Sequence, residues 1–165
     1  VIRQILAIDP GPVESAYALI DAADCIPMRH GKLPNDDLRR DPAMMTADLV
    51  AIEMVASYGM PVGAEIFDTC VWIGRYQQTL IDHDIPVELI KRLDVRLHHC
   101  HTGKAGDANV TRALIDRFAP PAKGWGHYGK GTKNNPGWFH GFKADVWQSY
   151  ALAVMVADRD TGPQL

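Results

Sequence analysis

Ile5-Leu6-Ala7-Ile8-Asp9-Pro10-Gly11 is an apolar run that stops at one carboxylate and turns on Pro-Gly. Four consecutive aliphatic residues are too many for an exposed edge, so the run predicts a central strand buried on both faces. Asp9 is the anomaly at its tip, because a carboxylate there is costly unless a cation or a donor compensates it. The Pro10-Gly11 turn leaves the side chain open to solvent. A metal ligand suits that position, and so does a turn-capping aspartate that bonds its own backbone.

A second run, Leu49-Val50-Ala51-Ile52-Glu53, ends in the same way. Between the two, Ser15 to Asp21 reads as a strand hairpinned to the first, and Cys25 to Leu33 as a third strand that Pro27 puts at an edge. Residues 34–47, with Pro34 and Pro42, read as a loop with a short helix. Residues 63–82 carry Ile66, Phe67, Cys70, Val71, Ile73, Gly74, Leu80 and Ile81 at spacings of three and four, which predicts a helix. On this reading Gly74 permits close packing on the sheet, and Glu65, Asp68, Trp72, Arg75 and Tyr76 face outward. Pro86 to Ile90 follows as a short strand, and strand, helix, strand makes its flanking strands parallel. The expected class is α/β, a mixed five-stranded sheet with its first three strands antiparallel, flanked by helices. Asp107 caps a helix that Pro120-Pro121 ends. A last helix runs over about residues 143–158, with Asp145 in its first turn, where a carboxylate favours the helix dipole.

The 165 residues, 47% hydrophobic, predict a single domain, 1–165. Three cysteines at wide spacing, with no signal peptide or membrane span, predict a soluble chain in a reducing, cytoplasmic compartment. A net charge of −3 excludes a surface coated in positive charge. The charge is nevertheless segregated: between Asp116 and Asp145 there is no acid, while Arg117, Lys123, Lys130, Lys133 and Lys143 all fall there. Over residues 123–142 these lysines interleave with Trp125, Tyr128, Trp138, Phe139 and Phe142, a composition that can neutralise phosphates and stack on unpaired bases. The alternative is a solvated loop with its aromatics tucked into the core. Arg75, Lys91, Arg92 and Arg96 are weaker phosphate candidates. His98-His99-Cys100-His101 lacks the separated partner pair of a structural zinc site and reads as a partly buried polar segment.

Asp9, Glu53 and Asp145 together supply what phosphodiester hydrolysis needs. Carboxylates hold Mg²⁺, or Mn²⁺ in its place, through hard oxygen ligands, and two such ions activate water and stabilise the leaving oxygen.

The Ile-Asp-Pro-Gly end of the first strand, Ala51-Ile52-Glu53, and Lys143-Ala144-Asp145 followed by Ala151-Leu152-Ala153 resemble RuvC-type Holliday junction resolvases of the RNase H-like superfamily, most closely the short phage and prophage members. The resemblance implies an RNase H-like fold whose acids meet at one end of the sheet and bind divalent metal. It implies a homodimer that nicks a four-way DNA junction symmetrically, as in DNA recombination and repair or phage DNA processing. It carries metal binding and catalysis onto Asp9, Glu53 and Asp145, and DNA contact fits Lys123, Lys130, Lys133, Lys143 and Arg75. One position departs: the family commonly has Asp or His one turn before the final aspartate, where this chain has Phe142. A further ligand would then come from His140, Glu14 or Asp107. The rival readings are an RNase H-like nuclease acting on RNA, flap or duplex DNA, and a DNA-binding module without catalysis. A nucleotide-binding fold of the actin and sugar-kinase type needs a duplicated domain for which 165 residues leave no room.

Overall fold

The computed structural model describes residues 1–161. The chain runs β1 (Gln4–Asp9), β2 (Glu14–Asp21), β3 (Pro27–Pro34), α1 (Asn35–Arg39), α2 (Pro42–Thr46), β4 (Leu49–Met54), α3 (Ala64–Asp82), β5 (Val87–Lys91), α4 (Arg92–Cys100), α5 (Asp107–Phe118) and α6 (Val146–Thr161). The sheet order is β3-β2-β1-β4-β5. The first three strands form the antiparallel meander, and β1, β4 and β5 are mutually parallel. The five-stranded mixed sheet is therefore as the sequence predicts, with β1 at its centre and β3 at an edge.

Alternation along β1 divides the core in two. Ile5 and Ala7 face α4, α5 and α6, whereas Leu6 and Ile8 face α1, α2 and α3. The α6 side of the sheet is lined by Ala7, Ala16, Ala18 and Ala51, and Ala151, Ala153 and Ala157 belong to the same core. Small residues on both surfaces let a helix that is apolar on most sides lie close to the strands. Among the described residues no helix is long and apolar enough to cross a membrane.

Several expectations are corrected. In α3 the buried residues are Thr69, Ile73, Tyr76 and Leu80, while Phe67, Val71 and Ile81 are exposed. Tyr76 turns inward because its hydroxyl finds Ser15 Oγ at 3.1 Å and Asn35 Oδ1 at 3.0 Å, so the ring is buried without an orphaned O–H. Gly74 does not pack on the sheet: it is on the exposed side, and a Cβ there would meet nothing within 4 Å. The residues after β5 form α4, a helix the histidine-rich sequence hid. His98 Nε2 pairs with Asp158 at 2.7 Å, and His99 Nε2 donates to the Ala151 carbonyl at 2.8 Å, so the two point to different partners.

The segment of residues 123–142 is folded down on itself. Gly131 and Pro136 form an isolated antiparallel bridge, and the amide of Gly131 donates to Trp125 O at 2.9 Å. Gly129, at φ 65°, lies where any Cβ would collide with that of Ala119. Phe139 and Phe142 are fully buried, and Trp138 stacks on Phe118 with centroids 5.1 Å apart and donates to Tyr150 Oη at 2.9 Å. Of the loop aromatics expected to meet bases, only Tyr128 is exposed, and Trp125 and Trp138 are partly so.

Candidate active site

Strand register builds the site. Ile8 of β1 pairs with Ile52 of β4, so the next residues, Asp9 and Glu53, stand side by side at the same end of the sheet. Both lie in phase with Ala7 and Ala51, so both project toward the α6 face. Glu53 is level with Ile90 of β5, and two residues on, in the same phase, comes Arg92, the first residue of α4. Asp145 reaches the site from the other layer. It is not in the first turn of α6 but immediately before it, and its carbonyl accepts from the amides of Gln148 and Ser149 at 3.1 Å.

The turn after β1 is tightly held. A Cβ on Gly11 would strike the carbonyl of Glu14, Asn35 Nδ2 donates to Gly11 O at 2.9 Å, and Ser15 Oγ donates to Asn35 Oδ1 at 2.6 Å. These buried polar groups satisfy one another, which fixes the backbone that presents Asp9.

Arg92 joins the acids. Its Nε lies 2.9 Å from Glu53 Oε1, one Nη 3.5 Å from Asp9 Oδ2 and the other 3.6 Å from Asp107 Oδ2. Asp107 is the first residue of α5 rather than its cap, which is Gly106, and its carboxylate also meets Arg96 at 3.4 Å. Lys32 on β3 pairs with Asp145 at 3.0 Å. Burial, then the neighbouring Glu53 charge, push the Asp9 carboxyl up to about 7, with Asp145 and Asp107 adding to the rise and Arg92 opposing it. Burial also raises Glu53, and Arg92 again pulls the other way. For Arg92, desolvation is outweighed by Glu53 and Asp9, which hold it more firmly protonated.

A cleft of about 400 Å³ is lined by Asp9, Gly11, Glu14, Lys32, Arg92 and Asp145. A wider one of about 770 Å³ shares Asp9 and Arg92 with it and continues past Glu53, Tyr58, Ile66 and Arg96. Of the candidate extra ligands, Asp107 reaches the cluster through Arg92 and Glu14 lines the cleft. His140 turns away, its Nδ1 bonding Lys130 O at 3.1 Å, and Phe142 is core beneath His30, Phe139 and Trp147. Lys143 is exposed two residues before Asp145. Arg75 covers the Trp72 ring at 4.6 Å on α3. Lys123 and Lys130 lie over Trp125 and Tyr128.

Among the described residues no three His, Cys, Asp or Glu side chains are gathered closely enough to hold a metal ion as they stand. The donor chemistry nevertheless fits a divalent cation: the carboxylates are hard ligands, their charge is under-compensated, and a guanidinium stands among three of them. Arg92, in sequence only a weaker phosphate candidate, and Lys32, which nothing in the sequence singles out, complete the cluster. A usable signal was present for Arg92, which follows the third parallel strand, as Asp9 ends the first and Glu53 stands one residue short of the end of the second.

No protein-family model matches the chain, and no curated protein matches it. Among solved structures, RuvC of Thermus thermophilus matches with a TM-score of 0.67 at 12% identity, over 96% of this chain and 96% of that one. T. thermophilus RuvC in complex with Holliday junction substrate matches equally, over 96% and 94%. The chain thus has the RuvC-like, RNase H-like fold.

Proposed function

We propose that this protein is a metal-dependent endonuclease that resolves four-way DNA junctions, akin to the short phage-type resolvases in DNA recombination or repair. The observation that carries the reading is the register that sets Asp9 beside Glu53 at the strand ends, with Asp145 facing the same cleft, in a fold shared with a RuvC that has a Holliday junction as substrate.

Asp9, Glu53 and Asp145 would hold Mg²⁺ or Mn²⁺, with Asp107 or Glu14 as a further carboxylate. The bound ion supplies Lewis-acid activation of water and of the scissile phosphate. Lys32 and Arg92 set positive charge on the cleft wall, where a phosphate oxygen gains most from it. The turn at Gly11 holds Asp9 in place. Lys123, Lys130, Lys133 and Lys143, in the segment that leads up to Asp145, would give the DNA backbone a run of positive charge.

A homodimer fits the outer face of α3. Phe67, Val71 and Ile81 are exposed there, with Tyr58 and Met60 in the preceding loop, and Gly74 leaves room for a second backbone to approach. Two sites related by a dyad would account for symmetric nicks.

The test is cleavage of a synthetic four-way junction beside linear duplex, flap and RNA·DNA hybrid, with Mg²⁺, Mn²⁺ or EDTA. Paired, symmetric nicks confined to the junction and lost in EDTA are expected. Metal-dependent cutting of another substrate would discard the resolvase, and tight junction binding with no cutting of any substrate would discard the enzyme.

A further inference from the structure

We propose that Arg92 is a resident counter-cation that keeps the acidic cluster closed, so that its guanidinium and a divalent metal ion occupy the site in exchange for one another. The proposal rests on reading Asp9, Glu53 and Asp145 as metal ligands. The manner in which Arg92 is held differs from that of the two firmly paired arginines, Arg29 and Arg117. Arg29 grips Asp41 with two hydrogen bonds of 2.9 Å, and Arg117 grips Asp158 with two of 2.7 and 2.8 Å. These are fork-to-fork pairs in which both partners are satisfied.

Arg92 makes no such pair. It is spread over three carboxylates from three elements, at 2.9, 3.5 and 3.6 Å, and its buried Nε–H has no aligned acceptor although Glu53 is close. A guanidinium shared in this way, with one long hydrogen bond of 3.5 Å to Asp9, is held more by summed charge than by short directed bonds. That is how a cation is replaced by a smaller, doubly charged one, since the acids lose little geometry and gain charge.

Position gives the exchange a consequence. Arg92 lines both clefts and stands at their common wall beside Asp9. Leaving the acids opens the wall between the two and frees a bidentate donor in the resulting groove, where the ligand it suits is a phosphodiester. Lys32 on Asp145 is in the same state, its single contact of 3.0 Å being exposed at both ends. Metal arrival and phosphate capture are thereby coupled: the ion that the acids need also releases the cations that the substrate needs.

The experiment measures Mn²⁺ binding from the spin-resonance signal of the free ion at pH 8, on wild type, Arg92→Gln, Arg92→Lys and Asp9→Asn, each checked for folding by circular dichroism. Removing the competitor in Arg92→Gln is expected to tighten Mn²⁺ by about fivefold or more, whereas Arg92→Lys, which keeps the charge, stays within about twofold of wild type. Metal-free Arg92→Gln is expected to melt below wild type, and saturating Mn²⁺ to raise its melting temperature by more than it raises that of wild type. Equal or weaker binding by Arg92→Gln, with Asp9→Asn still abolishing it, would overturn the exchange and leave the metal site standing. Absence of Mn²⁺ binding in both wild type and Arg92→Gln would overturn the metal reading itself.

Discussion

Lys32 Nζ, on the edge strand, donates to Oδ2 of Asp145 at 3.0 Å across 113 residues of sequence. Both side chains are about half exposed, at 45% and 50%, so the pair contributes less than about 1 kcal/mol to folding. Its value lies in the cleft it borders. Lys32→Met is expected to leave the melting temperature nearly unchanged and to slow junction cleavage by about tenfold or more. Wild-type cleavage rates in that variant would remove Lys32 from the reaction.

Asp9 is expected to be a residue whose charge the metal-free fold tolerates poorly. Its carboxyl is pushed up to about 7, so its folded-state pKa is above that of the unfolded chain. A group shifted in that direction stabilises at low pH, and the contribution is lost as pH rises from about 4 through about 7. At pH 8 Asp9→Asn should therefore melt higher than wild type without metal, by about 1–2 kcal/mol of stability, while losing cleavage and keeping junction binding. A metal-free variant less stable than wild type would show that Arg92 outweighs burial and the neighbouring acids.

The exposed face of α3 makes a third expectation. A glycine inside a helix costs about 1 kcal/mol against alanine, and at Gly74 no contact within the chain repays it. Gly74→Leu and Phe67→Asp are each expected to turn a dimer into a folded monomer in analytical ultracentrifugation. Wild-type protein that sediments as a monomer at micromolar concentration would remove this face as a homodimer surface.

The legible parts of the chain were those written in contiguous residues. Parallel strands buried on both faces must be apolar throughout, so β1 and β4 announced themselves, and an acid at the tip of each was conspicuous. What escaped depends on partners remote in sequence. Tyr76 reads as an outward polar residue until Ser15 and Asn35, 61 and 41 positions away, are seen to satisfy its hydroxyl. Phe139 and Phe142 read as a stacking platform until Trp147 and Tyr150 of α6 close around them. Lys32 is an ordinary edge-strand lysine until the two ends of the fold meet at Asp145. Arg92 was visible but ambiguous, since a single basic residue after a strand is usually a solvated one.

His99 gives the fold an acid-sensitive contact that lines neither of the clefts around Asp9. Burial lowers its basicity, with His98 adding to the effect, while the Ala151 carbonyl that accepts from Nε2 and the Asp158 charge oppose it. The folded state therefore disfavours the second proton relative to the unfolded chain. Stability from this group is full above about pH 6.5 and is lost as pH falls through the lower folded value. Urea midpoints measured from pH 8 to 5 should decline less in His99→Gln, whose amide can still donate to Ala151, than in wild type. Parallel declines would place the sensitivity elsewhere, with His30, also lowered by burial, as the next group to replace.

The lysines of residues 123–142 are expected to report directly on the DNA. Lys133 is exposed within the turn that the Gly131–Pro136 bridge closes, and Lys130 is steadied over the Tyr128 ring at 5.7 Å. Because the loop is folded rather than loose, its lysines would meet DNA at little ordering cost, and each that neutralised a phosphate would release a counterion. Lys130→Gln and Lys133→Gln should each weaken junction binding and lower the slope of log K against log salt by about one. Cleavage at saturating protein should change little, since neither residue lines the clefts around Asp9. A salt slope equal to wild type in both variants would detach this loop from the interface and shift the search for phosphate contacts to Lys143 and Arg75.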